Sequence, residues 1–331
     1  MKKYLNKGNI NRPRKKVPSM KAFVTGGAGF IGSHLVDKLI YKGYNVTVYD
    51  NLSSGKKQFI EKLLKNENLK FIEADLLNLN QLKKEIKGND VVFHIAANPF
   101  VRLGEKQTRL DLEQGAIATY NTLESMRLNN IKKIVFSSSS VVYAEVPNIS
   151  ILESYGPTLP ISLYGAGKLA SEGLISAFCG TFDFQAWIFR FANVVGTRGT
   201  HGVIVDFIDK LRKNPKELEI LGDGKQQKPY LYVSDVVDGM IYGFEQSNDQ
   251  INLFNLGCDS NTTVNKIAEM VVEEMGLKNV KFKYTGGKRG WPGDVPRFQL
   301  DATKIKKLGW NEKYTSDDAV RKAIREILDS P

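Results

Sequence analysis

The stretch FVTGGAGFIGSHL, residues 23–35, constrains the fold more than any other part of the chain. Gly26, Gly29 and Gly32 sit three apart, with an apolar run before them and an amphipathic run from Phe30 after them. A glycine at the first position permits a tight turn out of a strand. One at the second lets a ligand approach the backbone without meeting a Cβ, and one at the third lets the following helix pack closely on the strand. The start of that helix offers unpaired N–H groups and the positive end of its dipole, a natural seat for phosphate.

The same alternation continues along the chain. Apolar, β-branched runs predict strands at 21–25, 45–49, 69–73, 91–95, 133–137 and 184–191. Helical patterns are expected around 30–42, 56–65, 79–87, 107–129 and 163–178. Strands alternating with helices predict an α/β fold, a Rossmann-like doubly wound parallel sheet covered on both faces. After about Asn193 the pattern loosens, and Gly and Pro cluster at 222–224 and 286–293. The expectation is a basic tail at 1–19, a dinucleotide-binding domain at 20–193 and a smaller α/β substrate lobe at 194–331, with the chain crossing between lobes. Amphipathic helices are expected at 264–275 and 317–328 in that lobe.

Charge matters chiefly for the tail. Of a net charge of +11, seven positive charges fall in residues 1–19, which hold no acid. That segment has two prolines and no periodicity, so it reads as a solvated, disordered extension, with nucleic acid not expected as a partner. No apolar run reaches the roughly 18 residues of a membrane span. Two cysteines, Cys179 and Cys258, and three scattered histidines show no metal or redox spacing. The expectation is a cytoplasmic protein with reduced thiols and no metal.

Asp50 ends the second predicted strand, where a carboxylate accepts hydrogen bonds from the adenosine ribose hydroxyls and repels a 2′-phosphate. That favours NAD, while Lys56 and Lys57 leave NADP open. Asp75 closes the next strand-like run, within reach of an adenine. Tyr164 and Lys168 in SLYGAGKLASEGL form Y-x-x-x-K, and residues at i and i+4 share a helix face. A lysine cation beside a phenol favours the phenolate, which makes the tyrosine usable as a base. Upstream, KKIVFSSSSVVYAE places Ser137 to Ser140 at the carboxyl end of a strand, where such sheets bind ligands.

Taken together, TGGAGFIGSHL, YDNLSSG, ADLLN, VFHIAA, FSSSSVVY, YGAGK, RFANVVGTRG, LGDGKQQKPYLYVSDVV and RGWPGDVPRFQLDATKIKKLGW resemble the extended short-chain dehydrogenase/reductases. Within them, the chain is similar to the NAD-dependent nucleotide-sugar epimerase/dehydratase group over roughly residues 20 to 330. The resemblance implies NAD as cofactor, with Gly26, Gly29, Phe30, Ile31, Gly32, Asp50 and Asn51 around it. It adds Asp75, Leu76, Ala96, Ala97, Tyr164 and Lys168 to that site. It implies catalytic roles for Ser139, Tyr164 and Lys168, and substrate contacts for Ser139, Ser140, Tyr164, Asn193, Lys228, Arg289 and Phe298. It also implies a homodimer built on the helices near 107–129 and 163–178.

Dehydratases and decarboxylases of the group carry an acid just after the serine. Here Ser140 and Val141 follow it, and Glu145 is the next acid. The resemblance therefore implies a UDP-sugar 4-epimerase, with UDP-glucose and UDP-galactose as first expectation. A 4-epimerase of UDP-glucuronate or UDP-N-acetylglucosamine, a 4-keto-sugar reductase and a non-catalytic NAD-binding regulator are the alternatives. Bulky Phe298 suggests plain hexoses over N-acetyl ones. Four positions depart from the group's pattern. Lys228 and Trp291 stand where arginines are usual, Gly115 where an asparagine is, and Ala144 where a glycine is. A glycine inside a helix costs roughly 1 kcal/mol relative to alanine.

Overall fold

A single parallel sheet of seven strands organises the molecule in the computed structural model, which describes residues 20–146 and 150–329. The basic segment 1–19 lies outside the described residues. The strands are β1 (Lys21–Thr25), β2 (Asn45–Asp50), β3 (Leu69–Glu73), β4 (Val91–His94), β5 (Lys133–Ser139), β6 (Gln185–Phe191) and β7 (Ile251–Leu256). Their order is β7-β6-β5-β4-β1-β2-β3. Val24 of β1 aligns with Val48 on one side and Phe93 on the other. β1, β4 and β6 are buried over four or more consecutive residues. That is the mark of strands covered on both faces, and it explains runs such as AFVT and VVFH that do not alternate.

Helices α1 (Phe30–Tyr41), α2 (Leu79–Glu85), α3 (Ala118–Leu128), α4 (Leu163–Phe182), α5 (Val203–Lys213), α6 (Val233–Gln246), α7 (Val264–Glu274), α8 (Thr303–Leu308) and α9 (Ser316–Leu328) surround it. On one face Leu35 and Leu39 of α1 join Val24, Phe93, Trp187 and Phe244 in a common core. On the other, Leu123 and Met126 of α3 and Ile175 of α4 pack on Phe23, Val92 and Phe136. A separate apolar core joins α5, α7 and α9 to Leu218 and Ile220, forming a second lobe. In that lobe Glu217–Ile220 pairs in parallel with Lys281–Tyr284. β7 comes from the second half of the chain but pairs with β6 in the main sheet.

Strand order reverses between β1 and β4, so a crevice opens at their carboxyl ends. Two expected helices differ in kind. Residues 57–63 form a 3-10 helix, and the expected helix at 107–129 begins as a π-helical turn, Leu112–Ile117, before α3. The π turn lies where this segment crosses α4 at close range. A Cβ on Gly115 would stand 3.3 Å from Gly167 Cα, and one on Gly167 only 2.7 Å from the Asp111 carbonyl oxygen. The glycine that costs helix propensity thus permits a backbone-to-backbone approach.

Candidate active site

The crevice begins at the glycine loop. Gly26 has φ +69°, and its N–H donates to the Tyr49 carbonyl at 2.9 Å. A Cβ there would meet Ala96 backbone atoms at 2.7 Å, so the loops after β1 and β4 touch through this glycine. On Gly32 a Cβ would lie 2.0 Å from the Gly26 carbonyl oxygen. At Gly29, the N-cap of α1, the one near atom is that same oxygen, at 3.2 Å. No side chain caps α1 and no acid lies in its first turn. Its leading N–H groups, beside Phe30 and Ile31, therefore suit an anion.

Asp50 closes β2 at the side of this loop, 7% exposed. Its two oxygens accept the N–H groups of Ala28 and Leu52, each at 2.9 Å. Burial holds its carboxyl above the usual carboxylate range, with those two bonds opposing the rise. Asn51 donates to the Asp75 carboxylate at 2.9 Å, and the Asn121 amide holds the Leu76 carbonyl. Lys56 rests on the Phe59 ring and Lys57 on Phe71. Ala96 donates to Thr25 Oγ1 at 3.3 Å, and the next residue, Ala97, is partly buried. A glycine cradle whose Cβ positions are filled by backbone, an open helix start and a carboxylate at the end of β2 fit a dinucleotide, and fit NAD better than its 2′-phosphate.

The second group comes from α4. Ser162 caps it by accepting the Gly165 N–H at 3.1 Å. A Cβ on Gly165 would lie 3.0 Å from the Val141 carbonyl, so this first turn touches the turn after Ser139 and Ser140. Ser139 Oγ accepts the Val141 N–H at 3.4 Å, and Ser140 is buried. Lys168 Nζ stands 5.9 Å from the Tyr164 ring centroid and 4.7 Å from that of Phe136. It donates to the Ser137 carbonyl at 2.6 Å. Lys168 thus lies between the Tyr164 ring and β5, the strand whose last residue is Ser139.

Burial brings Lys168 down to about 7, with the charge of Glu172 opposing the fall. Burial, then Asp111, raises Tyr164. The expectation of a phenol lowered by its lysine is corrected for the chain by itself, because desolvation outweighs a cation that is itself weakened. Below Lys168 lies a network absent from the sequence reading. Glu172 accepts Arg190 Nη2 at 2.5 Å, Arg190 Nε at 3.0 Å and Ser138 Oγ at 2.5 Å. Burial works against the Arg190 charge, yet the bonds to Glu172 hold it above its ordinary range. The signal was available: Tyr164, Lys168 and Glu172 repeat every four residues along one helix face. His94 was also missed as a site neighbour. Fully buried, it bonds Thr25 and Thr119, and burial and then Lys168 push it down to about 3.

The expected substrate residues of the second half of the site already have protein partners. Lys228 Nζ meets Asp294 Oδ1 at 2.6 Å. Arg289 pairs with Glu145 and donates to the Asp294 carbonyl at 2.6 Å. Asn193 hydrogen-bonds the buried Tyr230 hydroxyl. Phe298 packs in an apolar cluster with Val142 and Tyr143, directly behind the serine turn.

Known proteins share this arrangement. The sequence profile described as "NAD dependent epimerase/dehydratase family" matches residues 22–257. A putative UDP-glucose 4-epimerase of Methanocaldococcus jannaschii is 35% identical over 307 residues, 91% of this chain and 96% of that protein. A crystal structure of a UDP-galactose 4-epimerase superposes with a TM-score of 0.83 at 40% identity, covering 93% of this chain and 98% of that one. A UDP-glucuronic acid 4-epimerase from Bacillus cereus, solved with UDP-glucuronic acid and NAD, gives a TM-score of 0.85 at 28% identity, covering 93% and 99%. Glycine cradle, carboxylate-ended β2, serine-ended β5 and the Tyr164–Lys168 face occur together in the matched region, and the chain belongs to the NAD-dependent epimerase/dehydratase family.

Proposed function

We propose that the chain is a UDP-sugar 4-epimerase acting on UDP-glucose and UDP-galactose through a 4-keto sugar. The observation that carries the reading is Lys168 set between the Tyr164 ring and the Ser137 carbonyl of the strand that Ser139 closes, with the next acid after the serine, Glu145, turned to Arg289. Elimination needs an acid/base group beyond the sugar C4, and the residues after Ser139 supply none. The glycine cradle and Asp50 would hold NAD, which would supply reversible hydride acceptance at the sugar carbon with no net oxidation.

The chain's own groups handle the proton. Tyr164 Oη takes it from the sugar hydroxyl and gives it back, with Ser139 Oγ hydrogen-bonded to the same oxygen. Lys168, in its charged form, favours the phenolate at the moment of transfer. The Ser137 carbonyl fixes where that charge sits. Phe298, locked behind the serine turn, leaves a bulky wall that suits an unsubstituted hexose.

The two helices beside the site also support a homodimer. Leu112 (55% exposed), Ile117 and Tyr120 form an apolar exposed set on one, and Gly173 and Gly180 leave open space on α4.

The test is incubation of purified protein with UDP-galactose, without added cofactor, read by proton NMR. UDP-glucose is the expected product, and Tyr164→Phe should slow its formation roughly a thousandfold. Stoichiometric consumption of a reduced nicotinamide would overturn the epimerase reading in favour of a reductase. Turnover of UDP-glucuronate with none of UDP-galactose would keep the chemistry and change the sugar.

A further inference from the structure

Lys228, Arg289 and Arg102 are gathered around the 289–294 segment and differ in what they touch. Lys228 is shared with Asp294, and Arg289 with Glu145. Arg102 is exposed and, among the described residues, has no carboxylate within ion-pair distance. It belongs to the 3-10 turn Val101–Glu105, which follows β4 on the cradle side of the cleft. Its guanidinium carbon stands 5.9 Å from the centroid of the Trp291 ring, on the second lobe. Lys228 Nζ approaches the same ring at 5.3 Å. Just before the turn, Phe100 packs on His201 at 5.5 Å between centroids, so this segment reaches across the cleft at two points.

An arginine beside an indole has its position set by the ring while its N–H groups stay available. The planar fork then meets two oxygens of a phosphate at once, with less side-chain freedom left to lose. Position 291 is where the resemblance leads one to expect an arginine, and the indole there brings no charge of its own. The cation arrives instead from the opposite side of the cleft.

We propose that Arg102, held by Trp291, is a substrate-binding residue that takes the diphosphate of the nucleotide sugar. The proposal rests on the UDP-sugar reading above. It is tested by calorimetric titration of UDP, and of uridine as the phosphate-free control, into wild-type protein, Arg102→Ala, Arg102→Lys and Trp291→Ala.

Arg102→Ala should weaken UDP about tenfold and leave uridine unchanged, because one charge-assisted bidentate contact is lost. Arg102→Lys should recover part of the affinity, since it keeps the charge and loses the fork. Trp291→Ala should fall between wild type and Arg102→Ala, and Arg102→Ala should add little on top of it. Equal UDP affinity in wild type and Arg102→Ala would overturn the assignment while leaving the UDP-sugar reading intact. So would a loss confined to UDP-glucuronate, which would move Arg102 to a sugar carboxylate. A wild-type chain that takes no UDP at all would overturn both.

Discussion

The glycine cradle and the Tyr164–Lys168 face of α4 lie at the carboxyl ends of strands of one sheet and are held by opposite means. In the cradle, backbone touches backbone: Gly26 against Ala96, Gly32 against Gly26, with no ion pair among the contacts that shape it. Along α4, Lys168 and Glu172 are buried beside Arg190 of β6, and the Glu172–Arg190 pair and the Lys168 amine have only one another and the protein as partners. The cradle depends on the absence of side-chain atoms, and the α4 face depends on charges that have no water to turn to. The glycine contacts should be intolerant of any added carbon and, apart from the buried Asp50 carboxylate beside them, indifferent to pH and salt. The α4 face should tolerate shape changes better than changes of charge.

The largest expected break is therefore Glu172→Gln. It leaves the Arg190 guanidinium buried without its counter-charge, at a cost of about 3–5 kcal/mol in unfolding free energy. Chemical denaturation of the variant measures it. A loss under about 1 kcal/mol would mean that Arg190 finds water or the Glu153 carbonyl, which it already approaches at 3.3 Å. Gly32→Ala comes next. A carbon 2.0 Å from the Gly26 carbonyl forces the loop off α1. The cost should be about 3 kcal/mol, with loss of bound NAD seen in the absorbance of the purified protein. Unlike the Glu172 variant, this one should lose the same amount at every pH where the fold survives.

These two effects also show what could be read in advance. The cradle was legible because its parts are neighbours in sequence: Gly26, Gly29, Gly32 and Asp50 all fall within the first βαβ unit. Tyr164 and Lys168 were legible for the same reason, being one turn apart. Glu172 sits one turn further, but its partners, Ser138 on β5 and Arg190 on β6, lie on separate strands, and no local pattern joins them. The substrate side is harder still. Arg289 meets Glu145 across 144 positions and Lys228 meets Asp294 across 66, so pairing depends on how the lobes close on each other. The π turn at Leu112–Ile117 was invisible because its cause, the crossing of Gly115 and Gly167, is tertiary.

pH sharpens the contrast. Lys168 titrates at about 7 in the folded chain against 10.5 for an ordinary lysine, so between those values the unfolded chain binds more protons. Stability should therefore rise with pH through that window. Relative to Lys168→Met, wild type should gain about 2 kcal/mol from pH 7 to 10.5, the full shift being discounted for relaxation around the charge. Denaturation midpoints of both proteins across that range measure it. A parallel pair of curves would show that Lys168 stays charged in the fold, steadied by Glu172.

The smallest effect tests the turn that follows the serines of β5. Ala144 has φ 64° and ψ −153°, a conformation that essentially only glycine adopts without strain. It follows Tyr143, whose hydroxyl donates to Asn255 at 2.7 Å and whose ring lies under Arg190 at 4.5 Å. It precedes Glu145, which is tied to Arg289. Neither neighbour is free to rotate, so the strain stays in the alanine. Ala144→Gly removes a Cβ from that conformation and should stabilise the fold by about 1 kcal/mol. That gain is the relief of strain, less the extra backbone freedom a glycine gives the unfolded chain. The midpoint of denaturation should rise with its slope unchanged. Repeating the substitution in Arg289→Ala separates the causes: with Glu145 released, the turn relaxes by itself and glycine should gain less. An equal gain in both backgrounds would place the strain in the Tyr143 anchor, on the α4 side, rather than in the ion pair that spans the cleft.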